Sequence, residues 1–218
     1  MILSPGRRYA FVHIPKTGGT AMALALEARA MKDDILIGDT PKARRRRGRL
    51  ASLNAPGRLW KHSRLADVEG ICDMTGWRIF TLVRNPWDRI VSYYHWLRTQ
   101  SFDHPAVTLA KGHDFGGFLN HPQTIASLAA QPYASYVTDR GGTLRATDFV
   151  RLEALDTDLV PVFDHLGFRF ALPQANASAR DRDFRIYYTD ADAALVGRLC
   201  APDIARFDYR FDPGLRPH

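Results

Sequence analysis

A chain of 218 residues is long enough to bury a sizeable core, and a single domain over 1–218 is the default expectation. Apolar residues at 45% and charged residues at 24% fit a soluble globular protein, and no stretch of about 18 apolar residues exists to cross a membrane as a helix. The formal charge of +7 is local, because Lys42, Arg44, Arg45, Arg46, Arg47 and Arg49 supply six positive charges with no acid among them, which argues against a general nucleic-acid-binding face. The first eight residues contain no apolar signal region, so a cytoplasmic location is expected. Cys72 and Cys200 are then expected to be reduced core residues rather than a disulfide, and the Asn176-Ala177-Ser178 sequon to be unused.

In chain order, the β-branched and aromatic run at 9–14 predicts a buried strand. Pro15 ends it, and Gly18-Gly19 permit a turn in which backbone approaches a ligand closely. Thr20 is the expected N-cap of a helix over 21–29. A strand, a Gly loop and a helix N-terminus gather backbone N–H groups and the positive end of a helix dipole into an anion site. Lys16 adds a point charge, and Thr17 and Thr20 add hydroxyl donors. The Walker pattern is absent, since the Lys precedes the glycines and no G-x-x-x-x-G-K-[ST] occurs.

His13-Ile14-Pro15-Lys16-Thr17-Gly18-Gly19-Thr20 resembles the 5′-phosphosulfate-binding loop of sulfotransferases that use 3′-phosphoadenosine 5′-phosphosulfate. The resemblance is closest to the branch of Golgi carbohydrate sulfotransferases and their small bacterial relatives. An ordinary Gly turn gives the same short pattern, so a second, independent signal is needed.

Residues 33–56 form a polar, basic excursion with a short strand expected at Ile35-Leu36-Ile37. The charge run, about 40–56, is expected to be a solvated, mobile loop, because like charges this close repel; the alternative is that it steers an anionic acceptor or the donor toward a cleft. Ser63 is a candidate cap for a short helix in the 60–68 segment. The run at 77–83 is nearly continuous in apolar character, as at the centre of a parallel sheet, and predicts a βαβ arrangement with the first strand.

That strand leads into Arg84-Asn85-Pro86-Trp87-Asp88-Arg89-Ile90-Val91-Ser92. Asn85 suits an N-cap, Pro86 the N1 position and Asp88 N3 of a helix running through Leu97. Arg84 is thereby placed at the carboxyl end of a strand, where open α/β sheets bind ligands. The segment resembles the family's 3′-phosphate-binding motif, whose Arg and Ser stand eight residues apart, and Arg84 and Ser92 fall at those positions. A guanidinium contacts phosphate in a bidentate manner that Lys cannot copy. The structural alternative is that Arg84 caps a carbonyl or pairs with Asp88.

His62 lies 22 residues before Arg84. A His upstream of the 3′-phosphate Arg acts as catalytic base in related carbohydrate sulfotransferases, and the resemblance gives His62 that role. An imidazole can take a hydroxyl proton near neutral pH, while an exposed or core His is the alternative. His13 reads as a structural member of the loop. His95, His104, His113, His121, His165 and His218 show no zinc-ligand spacing, so no metal site is expected.

Residues 100–142 are irregular, with short helices expected at 114–119 and 124–130, and form either the acceptor cleft or packing loops. Tyr133 and Tyr136 there are acceptor contacts or core. A third strand is expected at 148–153, a helix over 156–166 ending in Gly167, and a final amphipathic helix over 190–207 burying Ala194, Leu195, Leu199, Ile204 and Phe207. The segment 172–178 also resembles a family segment, which makes Asn176, Ser178, Arg180 and Arg182 candidates for the nucleotide end.

The fold expected is thus α/β, a short central parallel sheet flanked by helices, like the nucleotide kinases without their Walker loop. The resemblance implies transfer of a sulfuryl group from 3′-phosphoadenosine 5′-phosphosulfate to a hydroxyl of a small molecule, lipid or glycan, leaving 3′-phosphoadenosine 5′-phosphate (PAP). In it His62 and Lys16 are catalytic. Lys16, Thr17, Gly18, Gly19, Thr20, Arg84 and Ser92 bind the donor, without a metal and with no nucleic-acid partner. A kinase-like phosphotransferase and a non-catalytic nucleotide or polyanion binder are the competing readings.

Overall fold

The computed structural model describes residues 1–173 and 180–212. In chain order its elements are β1 (Ile2–Ser4), β2 (Tyr9–Val12), α1 (Gly19–Ala28), β3 (Ile35–Leu36), α2 (Pro41–Arg46), α3 (Leu65–Val68), β4 (Arg78–Val83), α4 (Pro86–Arg98), α5 (Pro105–Gly112), α6 (Phe115–Leu119), α7 (Pro122–Ala129), β5 (Asp148–Arg151), α8 (Leu155–Asp158), α9 (Val160–Leu166), α10 (Asp190–Leu199) and α11 (Ala201–Phe207). Short 3-10 helices lie at Arg47–Ser52, Tyr133–Tyr136, Leu152–Ala154 and Phe184–Tyr187. The described residues fall into two compact units, one from 1–83 with 133–173 and one from 84–132 with 180–212.

The first unit holds a five-stranded sheet in the order β3-β1-β2-β4-β5. Its centre is parallel, as the apolar runs require: Val12 pairs with Thr81 across β2 and β4, and Val83 with Arg151 across β4 and β5. β1 and β3 add antiparallel neighbours and make the sheet mixed. β1 escapes a sequence reading because three residues before Pro5-Gly6 are too few to show a period. Phe11, Phe80, Leu82 and Val150 from the strands share a core with Met22 and Leu26 of α1 and Phe163 and Leu166 of α9. Thr81, buried in the central strand, satisfies its hydroxyl by donating to the Val12 carbonyl at 2.7 Å.

The basic run departs from the expected mobile loop and is ordered as α2 and the Arg47–Ser52 3-10 helix. Thr40 caps α2 by accepting from Ala43 N–H at 3.1 Å, Pro41 supplies N1, and Ala43 is buried against the core. Repulsion is offset by handing three cations to backbone carbonyls: Lys42 to Glu27, Arg46 to Met31 and Arg49 to Lys32. Arg44, Arg45 and Arg47 remain exposed. Thr40 also donates to the buried Glu27 carboxylate, 2.6 and 2.8 Å from its two oxygens, and burial raises the Glu27 pKa.

α4 is the spine of the second unit. Asn85 caps it by accepting from Trp87 N–H at 3.1 Å, with Pro86 in its first turn as expected, and the helix ends at Arg98, one residue past the expected Leu97. Two of its aromatic heads are bonded to backbone: Trp87 Nε1 donates to the Ala193 carbonyl at 3.0 Å, and Tyr94 to the His113 carbonyl at 2.9 Å. The middle of the chain adds α5 to the two short helices expected there. The final helix is broken at Cys200 into α10 and α11, because Pro202 has no N–H to donate to the carbonyl of Arg198 four residues back and its ring crowds that carbonyl, whereas it is tolerated in the first turn of a new helix. The break shifts the buried set: Val196, Asp192 and Asp203 are inside, Ala194 is exposed, and Leu195, Leu199, Ile204 and Phe207 are half-buried. Cys72 and Cys200 are free thiols, both half-buried. No helix among the described residues is long and apolar enough to cross a membrane.

Thr40→Ala removes both a helix cap and a buried bond to a carboxylate, and is expected to cost about 1–3 kcal/mol of stability. Urea unfolding of the variant beside the parent measures it; an unchanged midpoint would show that the basic helix is not held from this residue.

Candidate functional site

In the first unit the loop after β2 is set by backbone shape. Lys16 (φ 66°) and Gly18 (φ 87°) both adopt left-handed backbone. A Lys there is sparsely populated and costs of order 1 kcal/mol, so the surrounding fold must hold it. Thr17 is fully buried, and its hydroxyl donates to the Ile14 carbonyl at 2.9 Å, closing the turn rather than facing a ligand. Gly18, not Thr20, is the N-cap of α1. The helix thus begins at Gly19, and Thr20 falls within its first turn. No side chain caps this end and no acid stands in the first turn, so nothing in the helix itself competes with an anion there.

Gly19 is needed for a packing reason. A Cβ at this position would lie 2.0 Å from His13 Cδ2, so the His13 ring lies directly on the helix start. His13 is buried, stacks on Phe11 at 6.1 Å, and meets the His62 ring edge-on at 4.5 Å. His62 Nδ1 lies 2.8 Å from the His13 carbonyl oxygen. A carbonyl can only accept, so Nδ1 carries the hydrogen and the neutral ring keeps its lone pair on Nε2. The structure therefore brings His62 to the Lys16–Thr20 loop through His13.

Burial is the main cause holding the His62 pKa down at about 4, partly opposed by the bond to His13, with Lys61 pushing the same way as burial. His13 is pushed well below 6.5 by burial first, then by His62, Lys61 and Lys16. Both rings are neutral at pH 7.

Ser63 does not cap α3, whose N-cap is Arg64. Its fully buried hydroxyl instead accepts from Trp60 N–H at 2.9 Å and donates toward the carbonyls of Arg58 (2.7 Å) and Trp60 (2.8 Å). Ser63 thus braces the turn that carries His62, a function the sequence gives no sign of beyond the residue's adjacency. Lys61, the other neighbour, pairs with Asp39 at 2.7 Å.

In the second unit Arg84 lies just before the Asn85 cap of α4, and Ser92 in the middle of that helix. Arg84 takes the pairing named above as its alternative, with Nε and Nη2 at 2.8 and 2.6 Å from Asp88 Oδ2. Asp88 Oδ1 in turn accepts from Arg180. All three side chains are at most 18% exposed, so one carboxylate holds two shielded guanidiniums together. The pairing of Arg180 with this motif across 92 residues leaves no trace in the sequence. Ser92 is buried, Arg182 is exposed, and Asn176 and Ser178 lie outside the described residues. Tyr133 and Tyr136 are buried in the first unit. No group of three or more His, Cys, Asp or Glu among the described residues is placed to hold a metal ion.

No family model and no curated protein matches the chain. Among solved structures the chain is similar to mouse sulfotransferase SULT7A1 complexed with PAP, with 15% identity, a TM-score of 0.45, and coverage of 92% of this chain and 84% of that one. A likeness at that level fixes neither activity nor site, which rest on the chain's own residues.

Because the folded pKa of His62 (about 4) lies below its ordinary 6.5, the unfolded chain binds a proton that the folded chain refuses. Stability is therefore full above about pH 6.5 and falls as pH drops toward 4, by up to about 1.4 kcal/mol per pH unit for each such His. Urea unfolding at pH 7, 6 and 5 is expected to show this slope and His62→Gln to reduce it; identical slopes would mean that His62 titrates normally.

Proposed function

We propose that the chain is a sulfotransferase that moves a sulfuryl group from 3′-phosphoadenosine 5′-phosphosulfate to an acceptor hydroxyl, in the manner of the carbohydrate branch. The observation that carries this reading is the bond from His62 Nδ1–H to the carbonyl of His13. It ties a neutral imidazole, lone pair on Nε2, to the residue whose ring covers the N-terminus of α1. Both halves of the resemblance, loop and base, converge on that contact, although 49 residues separate the two histidines.

The donor supplies an activated sulfuryl group. Lys16 and the N–H groups from Thr17 to Thr20 hold the phosphosulfate and stabilise charge growing on the bridging oxygen. His62 Nε2 takes the acceptor's hydroxyl proton as the oxygen–sulfur bond forms and the bridging bond breaks. A nearby anion favours the imidazolium, so a bound donor raises the His62 pKa from about 4 toward the range where a base is effective. Arg84 and Ser92 take the 3′-phosphate that distinguishes this donor from ATP, and Arg180, held to Asp88 with Arg84, is available to the same group. Cationic side chains and a helix N-terminus supply the electrostatics, so this chemistry calls for no metal.

His62→Ala is expected to lower turnover about 10²–10⁴-fold with little change in nucleotide affinity. Unchanged turnover on an active acceptor would remove His62 from the role. Arg84→Ala is expected to weaken PAP by roughly 1.5–3 kcal/mol in titration calorimetry, the range for a hydrogen bond to a charged group. Equal affinities in variant and parent would place the 3′-phosphate elsewhere, and protection from thermal unfolding by ATP in preference to PAP would favour a phosphotransferase.

A further inference from the structure

The turn that carries His62 also carries an exposed aromatic ring with no part in the core. Trp60 is 43% exposed, and its ring stands edge-on to that of His62 at a centroid distance of 5.1 Å. Of the large apolar side chains exposed among the described residues, Trp60 is the one whose ring meets this candidate base. The backbone that carries the indole is braced, because Ser63 bonds the Trp60 backbone N–H and the carbonyls on either side of Leu59. An aromatic side chain on a braced turn has only two torsions to lose when a ligand settles on it.

Cations predominate around the shelf. Arg58 lies over the Trp60 ring, its Cζ 5.3 Å from the centroid, and is itself exposed. Asp39, the neighbouring acid, is neutralised by Lys61 and further influenced by Arg44, which is exposed on α2. A ligand ring resting on Trp60 therefore finds uncompensated guanidinium charge beside it. A phenolic ring gains most from a dry, enclosed slot, whereas an open shelf rimmed by cations suits a hydrated ring that carries its own negative charge.

We propose that Trp60 and Arg58 form the acceptor subsite of His62, and that the acceptor is an acidic sugar: a ring whose C–H face stacks on the indole, whose carboxylate meets Arg58, and whose hydroxyl reaches His62. This rests on the sulfotransferase reading for the fate of the hydroxyl, but the binding itself is separable from it.

The test is ligand-observed NMR titration of the full chain, with and without PAP, using methyl β-glucuronide, methyl β-glucoside and 4-hydroxybenzoate. The parent is expected to bind the glucuronide most tightly. Trp60→Ala should weaken both sugars roughly three- to tenfold, and Arg58→Gln should abolish only the advantage of the glucuronide over the glucoside. Trp60→Phe should recover part of the loss, which a general disturbance of the turn would not allow. PAP affinity should be unchanged in all three variants. The subsite is overturned if the glucuronide does not bind, or binds Trp60→Ala as well as it binds the parent; the sugar assignment is overturned if 4-hydroxybenzoate binds more tightly in a Trp60-dependent way. A parent that fails to bind PAP would refute the donor reading, while the titrations without nucleotide still decide the subsite.

Discussion

One hydrogen bond, from His62 Nδ1 to the carbonyl of His13, sets the chemistry of the first unit. It fixes the tautomer of His62, orients the ring, and leaves Nε2 as its basic atom. It also couples two segments that the sheet alone would not bring into register: the loop that ends β2 and the Ser63-braced turn before α3. Burial makes the bond firmer, since exchange of a buried partner for water is unfavourable, and the same burial holds the ring neutral. The His13 ring completes the arrangement by lying on Gly19, where only a residue without Cβ fits.

The second unit meets a different demand, that of keeping two shielded guanidinium groups stable. Asp88 supplies the counter-charge to Arg84 and Arg180 with a single carboxylate, which leaves the set at net +1. Shielded arginines without such a partner would be costly, so the pairing is what makes two low-exposure arginines tolerable here. The alternative anticipated for Arg84, an ion pair with Asp88, is thus the arrangement observed, and the donor-binding role proposed for Arg84 starts from a guanidinium already oriented by that carboxylate.

Much of this was legible because the chain states it locally. Apolar runs mark β2 and β4, two of the three parallel strands, Pro15 and Gly18-Gly19 mark the loop, and Asn85-Pro86 marks the start of α4. What was not legible depends on partners distant in sequence. The basic run looked mobile because its repulsion is visible in the sequence, whereas the carbonyls of Glu27, Met31 and Lys32 that receive its cations are not. Thr20 is a better capping residue by type, yet the left-handed turn places Gly18 at the cap instead. Ser63 and Arg180 acquire their roles only from three-dimensional neighbours.

The most direct measurement is the ¹⁵N chemical shift and titration of the His62 ring by NMR, with and without PAP. A hydrogen on Nδ1, a pKa near 4 in the free protein and an upward shift on nucleotide binding are predicted. A hydrogen on Nε2, or a pKa near 6.5 that ignores the nucleotide, would contradict the claim that His62 is a neutral, half-buried imidazole tied to the Lys16–Thr20 loop and poised as a base.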